Sequence, residues 1–342
     1  MFDFFNVNSN TILLLAVVIV AFVLIIYGGN FFVDSAIWMA KVTHIPSMII
    51  GATIVSIGTT LPEVFTSFMA AGMGQTTMSV GNALGSILCN FALIFGITLC
   101  AYSTFVDKSQ FIQKFVILSF SIVLLIVFAL DSNIALWEGI ILFAIFALFM
   151  TLNIVDAVKK MKNGEDKTEI EDDEDDYKSK KPFVMIALFF VGAAGIAFGA
   201  NLMIDSVSAL ALQAGISEQV ISLTVVALGT SLPELVTTIT SIKKNNTEIS
   251  MGNILGANVL NSTLILGGST LIAGGIAIPA NDMVSLMVSF GIIASLIAVL
   301  AIPVLTKSKT FKWQGIVFES LYVLYLLFLV LQLVGVIPYS FN

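Results

Sequence analysis

The chain has 342 residues, of which 58% are apolar, and a mean hydropathy of +1.03. Soluble domains run nearer about 45–50% apolar, so these values exclude an ordinary globule. The net charge of -7 comes mostly from one acidic run, and a lone histidine, two cysteines and no arginine exclude a histidine metal centre, a disulfide framework and a basic nucleic-acid surface.

The first ten residues carry Asp3 and no positive charge, and no small-residue cleavage site follows the first apolar run. The sequence therefore predicts a membrane span from Thr11 rather than a removable leader. Apolar runs of about 20 residues match a hydrocarbon core of about 30 Å. They predict ten spans, near 11–33, 46–70, 76–100, 111–130, 134–156, 183–205, 216–242, 248–273, 284–305 and 314–337. The 15 lysines fall only in alternate connections: Lys41, then Lys108 and Lys114, then Lys159 to Lys181, then Lys243 and Lys244, then Lys307, Lys309 and Lys312. A wrong span count would scatter them over both sides. By the positive-inside rule the chain is a multi-pass cell-membrane protein with both termini extracellular.

Asp34 and Asp205 fall at the ends of spans one and six, as caps or interfacial groups. Trp38, Trp137 and Trp313 fall near span ends and suit an interfacial aromatic belt. Cys89 and Cys100 share span three, about 16 Å apart at the helical rise, too far to bond to each other. Residues 157–182 form the long polar connection, placed in the cytoplasm. Its Glu165–Asp176 stretch holds nine acids and is expected to behave as a self-repelling linker; it lacks the spacing of an EF-hand calcium loop, and a regulatory calcium site is the lesser alternative.

A phrase then organises the chain. Gly58-Thr59-Thr60-Leu61-Pro62-Glu63 in span two returns as Gly229-Thr230-Ser231-Leu232-Pro233-Glu234 in span seven, 171 residues later. The same offset aligns Gly28, Asn30 and Asp34 with Gly199, Asn201 and Asp205. It also aligns Gly81, Asn82, Gly85 and Asn90 with Gly252, Asn253, Gly256 and Asn261. Two halves of five spans each enter the membrane in opposite senses, as in secondary transporters with a site at the bilayer midplane. The fold class expected is an all-α polytopic membrane protein: ten transmembrane helices as two inverted five-helix repeats, with broken helices at that site. The halves are 1–156 and 183–342, with repeat motifs at 51–96 and 222–267.

Glu63 and Glu234 are carboxylates inside apolar spans, where charge is retained for function. Pro62 leaves the Gly58 carbonyl without its helical donor, and Gly58 loosens that turn. Such a carbonyl inside a membrane needs another partner. Ser56, Thr59 and Glu63 share one helix side with Thr60 and Ser67 on its flank; Thr230, Ser231, Glu234 and Thr237 repeat the arrangement, with Ala227 in place of Ser56. Carbonyl, hydroxyl and carboxylate are the oxygens that hard cations such as Ca²⁺ prefer. Asn82, Ser86 and Asn90 line one face of span three; Asn253, Ala257 and Asn261, with Asn258 beside them, line span eight. Asn82 and Asn253, near the helix starts, read more simply as helix-to-helix glue, while Asn90 and Asn261 lie deeper. Gly81, Gly85, Gly252 and Gly256 allow close helix approach. Without a phosphate-binding loop, ATP-driven transport is not expected, and no cofactor or obligatory protein partner is implied.

At these residues the chain resembles the cation/calcium exchanger superfamily, and is most similar to its prokaryotic sodium/calcium branch. The resemblance covers both halves, and implies a diamond-shaped central site in which Glu63 and Glu234 bind Ca²⁺ and share the flanking Na⁺ positions. It implies Thr59, Thr60, Ser86 and Asn90 as ligands from the first repeat, and Thr230, Ser231 and Asn261 from the second. Ser56 and Ala227 match positions that contribute backbone carbonyls. It also implies that spans one and six slide past the other eight. Ala257 stands where the family usually has a hydroxyl, Asn261 where many members have aspartate, and Ile87 where an asparagine follows Ser86. The expectation is a Ca²⁺ antiporter with Na⁺ as the returning ion. The alternatives are H⁺ as the returning ion on the same glutamates, a passive cation channel, and, weaker still, an intramembrane hydrolase.

Overall fold

The computed structural model describes residues 9–101, 108–163, 180–214, 227–278, 283–306, 310–333 and 335–337. The chain is helical almost throughout. Helix α1 spans Thr11–Thr43, α2 Ser47–Gly72, α3 Thr76–Ala101, α4 Lys108–Ala129 and α5 Leu136–Asn163. Helix α6 spans Pro182–Gln213, α8 Thr247–Ala273, α9 Met283–Thr306 and α10 Lys312–Leu333. Among the described residues these nine are long and apolar enough to cross a membrane. Helix α7 comes in two pieces, Ala227–Thr230 and Leu232–Lys243; the first part of predicted span seven lies outside the described residues. Two-residue strands β1 (Asn133–Ile134) and β2 (Ile276–Ala277) pair antiparallel and tie the α4–α5 connection to the segment after α8.

Helices α1 and α6 run about ten residues past their predicted ends, because their last turns stay apolar and pack inside the protein. At the helical rise each is about 50 Å long, more than the hydrocarbon core, so they cross obliquely or project beyond it. Asp34 and Asp205 are therefore not terminal caps. Asp34 lies within α1, where its Oδ1 is 2.6 Å from Lys244 Nζ, and Asp205 is buried within α6. Trp38 is likewise buried inside α1 and leaves the expected belt, whereas Trp137 and Trp313 are exposed in the first turns of α5 and α10. Helix α5 continues to Asn163, so the predicted loop opens later than residue 157; its acidic core lies outside the described residues. The two cysteines are free.

α1 and α6 lie antiparallel, backbone against backbone. A methyl on Gly28 would sit 2.9 Å from the Gly192 carbonyl, and one on Gly192 would sit 2.6 Å from the Phe32 nitrogen. At the far end Thr11 Oγ1 donates to Gln213 Oε1 at 2.9 Å. α2 and α8 cross in parallel just as closely: a methyl on Gly51 would meet Ile249 and Asn253 backbone, and one on Gly256 the Ala52 backbone. Gly252 and Gly256 thus act as the sequence suggested, while nothing described lies within 4 Å of the position a methyl would take on Gly81 or Gly85.

The two-fold relation of the halves appears in the contacts themselves. Ser79 Oγ meets Ser269 Oγ at 2.7 Å, and Thr98 Oγ1 meets Ser250 Oγ at 3.4 Å. Ser250 and Ser269 are the 171-residue counterparts of Ser79 and Thr98, so one contact is the image of the other across α3 and α8. Likewise α5 packs on α8 through Gly139 and Gly267, and α10 packs on α3 through Gly315 and Gly96. Each half therefore completes the core of the other. α8 is buried along nearly its whole length, which makes it the centre of the molecule.

The α geometry is interrupted where the repeats meet. Pro62 stays inside a continuous helical stretch, Ser56–Gly72, and the relaxation falls just before it as a π-helical segment, Gly51–Val55. Cys89–Phe95 in α3 and Leu260–Ile265 in α8 are π-helical at repeat-equivalent positions, and α7 breaks at Ser231. Wide turns of this kind free backbone groups and concentrate at functional sites.

Candidate cation site

The site forms where the middles of α2, α3, α7 and α8 meet. Glu63 from α2 and Glu234 from α7 are both fully buried and close enough for their charges to repel. Neither oxygen of the Glu63 carboxylate has a hydrogen-bond partner, and Glu234 Oε2 also lacks one. Glu234 Oε1 accepts from Thr60 Oγ1 at 3.2 Å, a bond from one half of the chain to the other. Two bare, mutually repelling carboxylates in a low-dielectric interior need positive charge between them.

The same four helices bury further polar groups, all of them neutral. Asn90 from α3 and Asn261 from α8 are fully buried, and no atom of either side-chain amide has a partner. Ser86 and Ser231 are buried with unpartnered hydroxyls. Thr59 Oγ1 lies 3.3 Å from the Ser56 carbonyl and 3.1 Å from Asn253 Oδ1, joining α2 to α8. Ser56 is buried, and its own hydroxyl donates to the Thr53 carbonyl at 3.2 Å. Thr230 is half-buried at the end of the short turn in which Ala227 comes first. Gly58 and Gly229 have a packing task as well: Phe32 of α1 closes over Gly58, and Ile204 of α6 closes over Gly229.

Asn82 and Asn253 do hold helices together, as expected, but they also touch the site. Asn82 Nδ2 donates to Ser67 Oγ at 2.8 Å and to the Glu63 carbonyl at 3.3 Å, while Asn253 accepts from Thr59. Thr238 and Ser241 are buried polar groups beyond those the repeated phrase marks. With Glu234 and Thr237 they occupy i, i+3, i+4 and i+7 of α7, one helix face, and all three hydroxyls are buried without partners. That spacing was available as a signal. Asn258 is also buried with both amide atoms unpartnered, and Cys89 packs beside Ser231 and Tyr322. So many unpartnered buried polar groups would be costly in an ordinary core. The hydroxyl, amide and carboxylate oxygens present are donors that suit hard cations.

An internally inverted helical core that buries two carboxylates and many unpartnered polar side chains in its middle fits a membrane cation transporter. Known proteins agree. The family model described as sodium/calcium exchanger protein matches residues 13–155 and again 184–331. An uncharacterized membrane protein of Methanocaldococcus jannaschii is 31% identical over 304 residues, 88% of this chain and 93% of that one. The sodium/calcium exchanger MaX1 of Methanosarcina acetivorans is 26% identical over 351 residues, 92% of this chain and 97% of its own. The solved structure of the sodium-calcium exchanger NCX_Mj soaked with Na⁺ and Sr²⁺ superposes with a TM-score of 0.76 at 28% identity, covering 92% of this chain and 98% of that one. The chain belongs to the sodium/calcium exchanger family of cation antiporters, within the cation/calcium exchanger superfamily.

Proposed function

We propose that the chain exchanges Ca²⁺ for Na⁺ across the cell membrane by alternating access. Glu63 and Glu234 are the central ligands, supplemented by Thr59, Thr60, Ser86 and Asn90 from the first repeat and by Thr230, Ser231 and Asn261 from the second. Ser56 and Ala227 contribute backbone carbonyls. The observation that carries this reading is the pair of buried carboxylates with three of their four oxygens unpartnered. Two carboxylates balance one Ca²⁺, and the neutral hydroxyls and amides complete an oxygen shell as readily for Na⁺. The functional units are the halves 1–156 and 183–342, joined by the 157–182 connection.

The glycine-lined pairing of α1 with α6 supports a moving unit of two helices, riding on α2 and α7 through the contacts at Gly58 and Gly229. The confinement of lysines to alternate connections supports a cytoplasmic placement of those connections, with both termini outside.

H⁺ as the returning ion is the second reading, favoured by Asn261 and Ala257, which leave neutral or apolar groups where further acid or hydroxyl ligands would strengthen Na⁺ sites. The test is Ca²⁺ uptake into proteoliposomes of the purified protein at clamped potential, driven separately by Na⁺ and by pH gradients. Uptake that requires internal Na⁺ supports the first reading. Uptake that ignores Na⁺ and follows the pH gradient replaces it with the second, and cation currents at channel rates would overturn both.

A further inference from the structure

We propose that Asn82 and Asn253 form two repeat-related latches that are made in alternation. Asn82 holds the outer half of α2 against α3, and Asn253 holds the inner half of α7 against α8. The proposal rests on the antiport reading above and assigns the contacts that set which side of the membrane the chamber faces.

The outer latch is made. Asn82, in the second turn of α3, donates through Nδ2 to Ser67 Oγ at 2.8 Å and to the Glu63 carbonyl at 3.3 Å. At the 171-residue offset, Asn82, Ser67 and Glu63 become Asn253, Thr238 and Glu234. Donor and acceptor are therefore both present in the second half, and both are fully buried. Yet Asn253 Nδ2 and Thr238 Oγ1 have no hydrogen-bond partner. Asn253 instead accepts through Oδ1 from Thr59 of α2, at 3.1 Å. The inner latch is undone. A buried amide and a buried hydroxyl without partners are costly, and each is the partner the other lacks.

The asymmetry is local. The Ser79–Ser269 and Thr98–Ser250 contacts are images of each other and both are made, so α3 and α8 form a symmetric frame. The halves differ in α2 and α7: α2 is helical through Thr60, whereas α7 breaks at the image residue, Ser231. The piece of α7 that carries Thr238 thus begins at a break and can approach α8 while the frame stays fixed. By the lysine placement, Ser67 lies toward the extracellular ends of the helices and Thr238 toward the cytoplasmic ends, near Lys243 and Lys244. Alternating access requires one side shut while the other opens, and repeat images in opposite states meet that need.

The experiment measures Ca²⁺/Ca²⁺ exchange by the full-length protein in right-side-out and inside-out membrane vesicles, which gives the apparent Ca²⁺ affinity at each face. Apparent affinity at a face scales with the fraction of protein open to that face, so the ratio of the two affinities follows the population ratio. Losing one hydrogen bond should change that ratio by about two- to tenfold. Ser67→Ala weakens the outer latch and should move the ratio toward the extracellular face. Thr238→Val removes the inner one and should move it toward the cytoplasmic face, whereas Thr238→Ser keeps the hydroxyl and should leave the parental ratio. An unchanged ratio in both Ser67→Ala and Thr238→Val, or a shift of both in the same direction, overturns the proposal. A shift in Thr238→Ser as large as in Thr238→Val overturns it too, since the hydroxyl would then not be the acting group. A parent protein that exchanges no Ca²⁺ in either vesicle overturns the antiport reading and the latches with it.

Discussion

Replacing either buried glutamate by its amide tests the site most directly. Glu63→Gln and Glu234→Gln keep shape and remove one charge. A cation bound between the remaining carboxylate and a neutral amide leaves one positive charge uncompensated in a fully buried chamber. Leaving a buried charge unpaired costs about 3–5 kcal/mol, so Ca²⁺ binding should weaken by roughly 10²- to 10³-fold or more in each variant. The ion-free protein should respond in the opposite sense, because each substitution removes the repulsion between the two carboxylates. Thermal unfolding without Ca²⁺ should therefore occur at the same temperature as in the parent or above it, while the stabilisation produced by added Ca²⁺ disappears. Calorimetric Ca²⁺ titration, unfolding with and without Ca²⁺, and radioactive Ca²⁺ uptake read these separately. Retained coupled uptake in both variants would remove Glu63 and Glu234 from the centre of the mechanism.

Gly252→Ala places a methyl against the Met48 carbonyl and within 3.0 Å of the Ala52 nitrogen, both backbone atoms that cannot step aside. It should cost about 1–3 kcal/mol of stability by prying α2 from α8, visible as a lowered unfolding temperature in detergent; an unchanged temperature would show that this crossing is slack. Thr59→Val leaves Asn253 Oδ1 without the donor it has at 3.1 Å, at a cost of about 1–3 kcal/mol. That variant should weaken Ca²⁺ binding by about tenfold or more while remaining folded, and parental affinity would exclude Thr59 from the site. Lys244→Met breaks a half-exposed ion pair with Asp34, worth about 0–1 kcal/mol. Unfolding temperature should shift by only a degree or two, and a large loss of stability would show that the pair is shielded from solvent.

Much of the architecture is legible in the sequence because the bilayer imposes simple rules. Hydrocarbon thickness sets span length, and the lysine alternation sets the count, so ends such as Ser47, Thr76 and Thr247 are met to within a residue or so. The limits of those rules are equally specific. Hydropathy does not see where an apolar helix ends when its last turns pack inside protein. That is why α1 reaches Thr43 and α6 reaches Gln213, and why Asp34, Asp205 and Trp38 sit inside helices.

The chemistry of the site follows the same division. A carboxylate within an apolar span, a proline beside it and a second copy 171 residues away identify Glu63 and Glu234 without any coordinates. Local pattern does not reveal which neighbours those carboxylates have. Thr60 bonds across the repeats to Glu234, and Thr59 reaches Asn253. Nor does it show that helical relaxation precedes Pro62 instead of occurring at it.

The sequence by itself determined the membrane class, the ten-span order, the inverted duplication and the two central acids. Each rests on short-range regularities: apolar run length, lysine placement and a repeated phrase. Only the tertiary structure decided which groups remain unpartnered around those acids and how closely the helices cross. Both depend on the meeting of residues about 160 to 200 positions apart, where the absence of a side chain at Gly51, Gly252 or Gly192 lets one backbone touch another.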